Sequence, residues 1–313
     1  SCIYGGEDYD ARLEQENFSH PDFIENNGWK PVNIVEAPKG ELVSQSTEPL
    51  KVMETYKPVQ VEEVKPGLYL YDLGRNFSGW VNIEITNNTN NEGKVILLTP
   101  GEILSEDKLP DQRVTGKGYG WQYTLNSKKT QKYSPKFTYT GFRYVLLEGA
   151  VPKEFSNKDT KLPIIESLIG EFIYPDIEII GEFNSSNQLF NQIHKIINQA
   201  MLSNMKSVFT DCPHREKLGW LEQTHLIGPG LMYNYDVQGL YEKVEEDMKQ
   251  SQYSKGLIPD IAPEYVVFGY HEGFVDSPEW GSAFIINPWY LYKRYGNSTL
   301  FEKYYDNMKK YVD

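Results

Sequence analysis

The sequence predicts a mixed, multidomain protein: a β-sandwich followed by an unfinished array of helices. Three observations carry this reading. Residues 46–170 contain strand-like runs in which apolar and polar side chains alternate, the period of a half-buried strand. From Asn184 onward the apolar residues recur at helical spacing instead. The length, 313 residues, suits two or three domains.

Residues 1–45 are irregular and are read as part of an N-terminal β module. Gly28-Trp29-Lys30-Pro31 is expected to be a turn leading into a strand. The acidic cluster Glu7, Asp8 and Asp10 reads as a solvated or Arg12-paired loop rather than a cation site. In the sandwich, residues 46–170, Val81, Ile83 and Ile85 alternate with Asn82 and Glu84. Asn87–Gly93 is a polar turn, and Val95–Leu98 and Tyr144–Leu147 are apolar strand runs. Strands recurring between Gly, Pro and Asn turns point to a sandwich. Gly116-Lys117-Gly118-Tyr119-Gly120-Trp121 has the wrong spacing for a phosphate fingerprint, and no helix pattern follows. It is expected to be a mobile loop.

Phe183–Asn187 supplies a helix-capping cluster. Leu189, Phe190, Ile193, Ile197, Ala200, Met201, Asn204, Met205 and Val208 then follow one helical stripe. Val237, Leu240, Tyr241, Val244 and Met248 make a second, and Leu300, Phe301, Tyr304, Tyr305 and Met308 another. The acidic run Glu242–Asp247 is assigned to the opposite, solvated face. About five helices are expected in residues 171–313.

A net charge of −13 without a basic stripe argues against a nucleic-acid partner. No apolar run approaches the ~20 residues that cross a bilayer. The opening SCIYGGEDYDARLEQ lacks the charged and apolar regions of a leader. Cys2 and Cys212 do not make a disulfide framework, and they suit either a cytoplasmic or a periplasmic setting.

The densest chemistry lies in Thr210–Gln223, TDCPHREKLGWLEQ. Pro213 interrupts any continuous helix, and Gly219 permits close backbone approach. A shaped loop between helices is expected. It holds two carboxylates, Asp211 and Glu216, with Arg215, His214, Cys212 and Trp220 among them. That set suits glycoside hydrolysis, in which one carboxylic acid protonates the leaving oxygen and a second carboxylate acts from the other side. A catalytic acid must keep its proton near neutral pH; burial and a second carboxylate help, and cations oppose. Asp211 acts in the first sense on its neighbour, and Arg215 and Lys217 in the second if they face it. Both an active site and a polar helix-linking loop remain open at this point.

Metal chemistry fits less well. Cys212, His214 and His225 do not have zinc-site spacing, and Val275 stands where a helical His271-Glu272 motif would need its second His. His214 and His225 are read as hydrogen-bonded structural residues. No Gly-x-Ser-x-Gly is present. Two later loops, Gly256–Glu264 and Asp276–Gly281, would join the central loop at one end of the array if the helices pack in pairs. Asp276, Glu279 and Trp280 are then pocket residues; the alternative is capping by Asp276 or Glu279, with Trp280 in the core.

Asp211-Cys212-Pro213-His214-Arg215-Glu216-Lys217-Leu218-Gly219-Trp220 resembles the signature of the bacterial α-L-rhamnosidases, glycoside hydrolase family 78. Tyr9–Arg12 resembles the family's N-terminal module. Tyr71–Trp80, Pro100–Leu104 and Phe137–Tyr144 resemble its β-sandwich, and Asp276–Gly281 one of its barrel loops. The resemblance spans essentially the whole chain. It implies an inverting hydrolase of rhamnose-containing oligosaccharides or glycosides, with an (α/α)6 barrel and no cofactor. Glu216 matches the general acid, Asp211 and Arg215 the ligands of substrate hydroxyls, and Trp220 the aromatic wall. Glu222, Gln223, Glu279 and Trp280 are further substrate-binding candidates. Many members carry an Asp three places after the Trp, where this chain has Gln223. The barrel is incomplete here, residues 171–313 being its first half, and the general base is expected beyond Asp313. A homo-oligomer stays open. The competing readings are a carbohydrate-binding protein without catalysis and a barrel glycosidase for another sugar.

Overall fold

The computed structural model describes residues 2–25, 28–37, 39–88, 90–116, 118–267 and 277–313. The strands are β1 (Gly6–Asp10), β2 (Leu50–Tyr56), β3 (Gln60–Lys65), β4 (Leu68–Thr86), β5 (Val95–Gly101), β6 (Gly120–Thr124), β7 (Thr130–Tyr133), β8 (Thr140–Glu148), β9 (Val151–Pro152) and β10 (Ile164–Pro175). The α-helices follow: α1 (Gln188–Asn204), α2 (Glu222–Leu226), α3 (Gly228–Asn234), α4 (Gln238–Ser251), α5 (Pro278–Gly281), α6 (Ala283–Tyr295) and α7 (Thr299–Val312). A sheet-rich part therefore precedes a helical part.

The strands form one hydrogen-bonded sheet in the order β1-β6-β5-β8-β4-β10-β2, with β3 and β7 also on β4 and β9 on β10. β4 is its spine. The first part of β4 pairs with β3 and β8, and its later part with β10 and β7. A register break with β8 lies between Asp72 and Phe77, the kind of irregularity that lets a strand turn a corner. Val81, Ile83 and Ile85 point inward and are at most 1% exposed, as the alternation predicts. The sheet folds over on itself. Tyr123 of β6 stacks on Tyr133 of β7 with ring centroids 4.8 Å apart, although those strands share no ladder. Trp121, Phe142, Phe77 and Phe172 continue this core, with successive centroids 5.5, 4.6 and 5.8 Å apart. Tilted and edge-on rings at such distances gain beyond the area they bury.

Four expectations need correction here. Gly120 and Trp121 belong to β6, and Trp121 is fully buried, so the stretch from Gly116 is not wholly a loop; Lys117 is outside the described residues. Its aromatic side chain is worth more in the core than the glycines around it cost the strand. Second, Gly28–Pro31 does not lead into a strand: none forms among the described residues between Pro31 and Leu50. Third, the first acidic cluster is not a solvated loop. It lies on β1, which runs parallel to β6 from Gly6–Gly120 to Asp10–Thr124. Glu7 is buried and accepts from Tyr133 Oη at 3.2 Å, while Asp10 does pair with Arg12 at 2.7 Å.

In the helical part, Asn187 caps α1 by accepting from Leu189 N at 3.0 Å. The chain leaves the helix at Met205, so Met205 and Val208 are buried from a loop rather than from the predicted stripe. Leu189, Phe190, Ile193 and Ile197 on α1 remain exposed in this structure. Seven α-helices are seen among the described residues rather than about five, the additional ones being short. On α4, Leu240, Tyr241, Val244 and Met248 are buried as predicted. The fourth correction concerns the acidic run beside them. Glu245 is fully buried, because it sits four residues after Tyr241 and three before Met248 on the inward face. Its neighbours are not free in solvent either: Asp247 pairs with Lys243, and Glu246 with Lys303 and the Tyr304 hydroxyl. No helix among the described residues is long and apolar enough to cross a membrane.

Candidate active site

Thr210–Leu221 is indeed a loop between α1 and α2, while Glu222 and Gln223 already belong to α2. Asp211 closes it on itself. Its N–H donates to Leu218 O and its Oδ1 accepts from Leu218 N, both at 3.2 Å. Glu216, inside that closure, is held on every polar atom it has. Its N–H donates to Cys212 Sγ at 3.2 Å, and its carbonyl accepts from the Tyr4 hydroxyl at 2.9 Å. Its Oε2 accepts from Trp220 Nε1 at 3.0 Å, and its Oε1 pairs with the Arg215 guanidinium.

The two cations behave differently. Arg215 faces Glu216 and stays half exposed. Lys217 turns the other way and is 2% exposed. Its ammonium donates to Tyr139 O at 2.6 Å and to Ile3 O. It also lies 4.8 Å from the Tyr119 and Tyr139 ring centroids and 5.9 Å from that of Tyr4. Burial lowers its pKa to about 8. Of the two carboxylates, Asp211 has a raised pKa: burial is the main cause, and the charge of Glu216 adds to it. The first shift favours a neutral amine and the second a held proton.

The sheet shapes this loop from below. Gly141 N donates to Pro213 O at 3.0 Å, and His214 Nδ1 lies 3.2 Å from Glu102 Oε2. Gly141 must lack a side chain here, since a Cβ would sit 2.6 Å from Glu102 Oε1 and 2.7 Å from Pro213 Cγ. Glu102 and Gly141 lie in two of the stretches singled out in the sheet. Where the chain leaves α1, Lys206 is also buried. It donates to Ser78 Oγ at 2.7 Å, Ile173 O at 2.9 Å, Ser203 O at 3.1 Å and Met205 O at 3.2 Å. Burial lowers its pKa to about 7.

The loop Gly256–Glu264 comes to the central loop as expected of paired helices. Ala262 N donates to Gly219 O at 3.2 Å and Leu221 N to Asp260 O at 3.0 Å. Gly219 makes the close approach possible, because a Cβ there would meet Ala262 O at 2.7 Å. Asp260, 3% exposed, accepts from Ser277 N at 2.7 Å and so ties in the next loop. Trp280 on α5 consequently lies 6.0 Å from Trp220, ring to ring, at 58°. Trp280 is half buried against the core and beside the site at once. Glu279 is exposed, and its carbonyl, not its carboxylate, binds the loop by accepting from His225 Nε2 at 2.7 Å. Glu222 and Gln223, both half buried, open α2 directly after this cluster. Asp276 and the His271-Glu272 pair lie outside the described residues. Sequence reasoning did not single out Tyr4, Tyr139, Tyr265, Lys206 or Asp260. Tyr139 and Asp260 lie in the stretches Phe137–Tyr144 and Gly256–Glu264 named above, but no local pattern gives any of the five a role at the site.

The helical part fits the class of the six-hairpin glycosidases: residues 178–313 match the family model of the bacterial α-L-rhamnosidase 6 hairpin glycosidase domain. Residues 62–173 match the bacterial α-L-rhamnosidase concanavalin-like domain, and residues 1–54 the α-L-rhamnosidase N-terminal domain. The chain belongs to the bacterial α-L-rhamnosidase family. An α-L-rhamnosidase of Formosa agariphila is 29% identical over 98% of this chain, and one of Streptomyces avermitilis 29% identical over 94%. Among solved structures, the α-L-rhamnosidase of Dictyoglumus thermophilum superposes over the full chain with a TM-score of 0.87 and 32% identity. That of Streptomyces avermitilis, complexed with L-rhamnose, covers 99% with a TM-score of 0.86 and 27% identity. The chain spans about a third of the length of these relatives, 32% and 27% of the two curated proteins and 34% and 29% of the two solved chains.

Proposed function

We propose that this chain supplies the acid half of an α-L-rhamnosidase active site. Glu216 protonates the glycosidic oxygen. Asp211 and Arg215 take hydroxyls of the deoxy sugar, and Trp220 and Trp280 take its apolar face. Glu222, Gln223 and Glu279 line the approach. The observation that carries this is the fixing of Glu216 at its N–H, its carbonyl and both carboxylate oxygens beside an indole pair. Precise placement of an acid is the property its chemistry needs. Arg215 is exposed enough to exchange the carboxylate for a sugar hydroxyl as substrate enters.

The reaction is of the inverting type. A second carboxylate, from residues outside 1–313, activates water on the opposite face of the ring, about 6.5–9.5 Å from the acid. The architecture that serves it is an N-terminal β module in 1–45, a jelly-roll-like sandwich in 46–170 and the first half of an (α/α)6 barrel in 171–313. The test is Glu216→Gln in the full-length protein. Hydrolysis of a natural rhamnoside falls by about 100-fold or more, while an activated aryl rhamnoside loses less because its leaving group needs little protonation. Unaltered rates on both substrates, or a clear preference for another sugar in a panel of aryl glycosides, would sink the reading.

A further inference from the structure

We propose that Tyr4 and Lys217 are positioning residues for Glu216, so that the N-terminal segment and the sheet together set the aim of the acid. This rests on the role of Glu216 argued above. The Tyr4 hydroxyl donates to the Glu216 carbonyl across 212 residues of sequence. The next carbonyl, that of Lys217, accepts from the Tyr265 hydroxyl at 2.7 Å. Two tyrosines from two distant segments thus fix successive peptide planes, and the Cα of Glu216 lies beside them. The side chain of Lys217 then anchors the loop to Ile3 O and Tyr139 O.

Two features of Lys217 go beyond ordinary packing. It has φ +52° without being glycine. Such a backbone is strained, and strain of this kind persists where the surroundings hold it, often at functional sites. Its charge is also buried without a carboxylate in contact among the described residues, satisfied by carbonyls and by three aromatic rings. An apolar side chain would fill the space more cheaply. The charged anchor brings direction, because the ammonium is held where the carbonyls of Ile3 and Tyr139 receive it. A displacement of about 1 Å in a reacting group is enough to lose up to about a hundredfold in rate.

The experiment uses the full-length protein with Tyr4→Phe, Lys217→Met and Lys217→Arg. It reads kcat and KM on a rhamnoside with a poor leaving group and on an activated aryl rhamnoside. It also follows the 15N–1H indole resonance of Trp220, whose N–H donates to Glu216. Tyr4→Phe keeps the ring and removes only the donor, at a residue that is 44% exposed, so its fold is safe. Its kcat on the poor leaving group falls about tenfold with KM unchanged. The activated substrate loses no more than about twofold, because its departure hardly depends on the acid. The Trp220 resonance moves. Lys217→Met shows the same pattern more strongly, and Lys217→Arg recovers part of it. Equal losses on both substrates, no loss, or an unmoved resonance overturns the proposal. If the unsubstituted protein cleaves no rhamnoside, the functional reading fails by itself and the resonance decides: a shift in Tyr4→Phe upholds the positioning role, and none refutes it.

Discussion

The stretch from the end of α1 through the central loop and the inward face of α4 both bury ionisable groups, and they do so in opposite ways. Lys206 and Lys217 are each surrounded by oxygen acceptors, and both lie against the Tyr139 ring, at 5.3 and 4.8 Å. Glu245 on α4 is as deeply buried, yet among the described residues neither of its carboxylate oxygens has a hydrogen-bond partner at normal distance. The amide facing it, Asn287, is engaged with Thr224, to which its Nδ2 donates at 2.9 Å. A buried ion is tolerable when fixed dipoles replace its water, and it is a liability when they do not. The loop therefore uses buried charge to fix the backbone at the site. The α4 carboxylate does no such work among the described residues.

The sharpest way to break this comparison is at Lys206. Lys206→Met keeps the length and removes the donor, leaving Ser78 Oγ and backbone carbonyls without it. We expect a loss of about 3 kcal/mol at pH 9, measured by denaturant unfolding. The pH dependence has a definite sign. The folded-state pKa of Lys206 is lowered to about 7 from 10.5 by burial, so between those values the unfolded chain binds more protons. Stability then rises with pH across that window. The penalty of Lys206→Met should be smaller at pH 6 than at pH 9. A penalty that stays constant would mean that burial does not depress the Lys206 pKa.

The opposite sign is expected at Glu245. Burial raises its pKa well above the usual carboxylate range. A carboxyl raised in the folded state contributes stability below its unfolded pKa and loses it as pH rises toward the folded value. Glu245→Gln removes that loss and should stabilise by about 1–2 kcal/mol at pH 7. The gain should shrink toward pH 4, where Glu245 is mostly protonated in both states. Thermal unfolding at the two pH values checks it; destabilisation at pH 7 would show that the carboxylate has a favourable role.

The same contrast marks how far the sequence could be read. The alternation at Val81, Ile83 and Ile85 and the stripe at Leu240–Met248 are local periodicities, and both are buried as predicted. The loop was legible because its own residues close it: Pro213 interrupts, Gly219 permits contact, and Asp211 reaches Leu218 over a short span. What failed was long-range. Nothing near Lys217 says that Tyr139 and Ile3 receive it, and nothing near Glu216 names Tyr4. Glu245 was lost for a narrower reason. A run of acidic residues on a helix covers more than one face, so one of them must turn inward when the stripe beside it does. Trp121 fell to a similar ambiguity, since the glycines around it suggested a loop while the ring belonged to the core.

The smallest effect is also the most discriminating. Among the described residues, Ser78 Oγ is the only side-chain acceptor of the four oxygens to which Lys206 donates, and Ser78 is fully buried on β4. Ser78→Ala should cost about 1 kcal/mol, since the ammonium keeps its three carbonyls. In the Lys206→Met background the hydroxyl has lost that donor, and removing it should then be close to neutral. The double-mutant cycle thus isolates the one contact through which the start of the loop grips the spine of the sheet. Full additivity of the two substitutions would show that Lys206 and Ser78 do not interact.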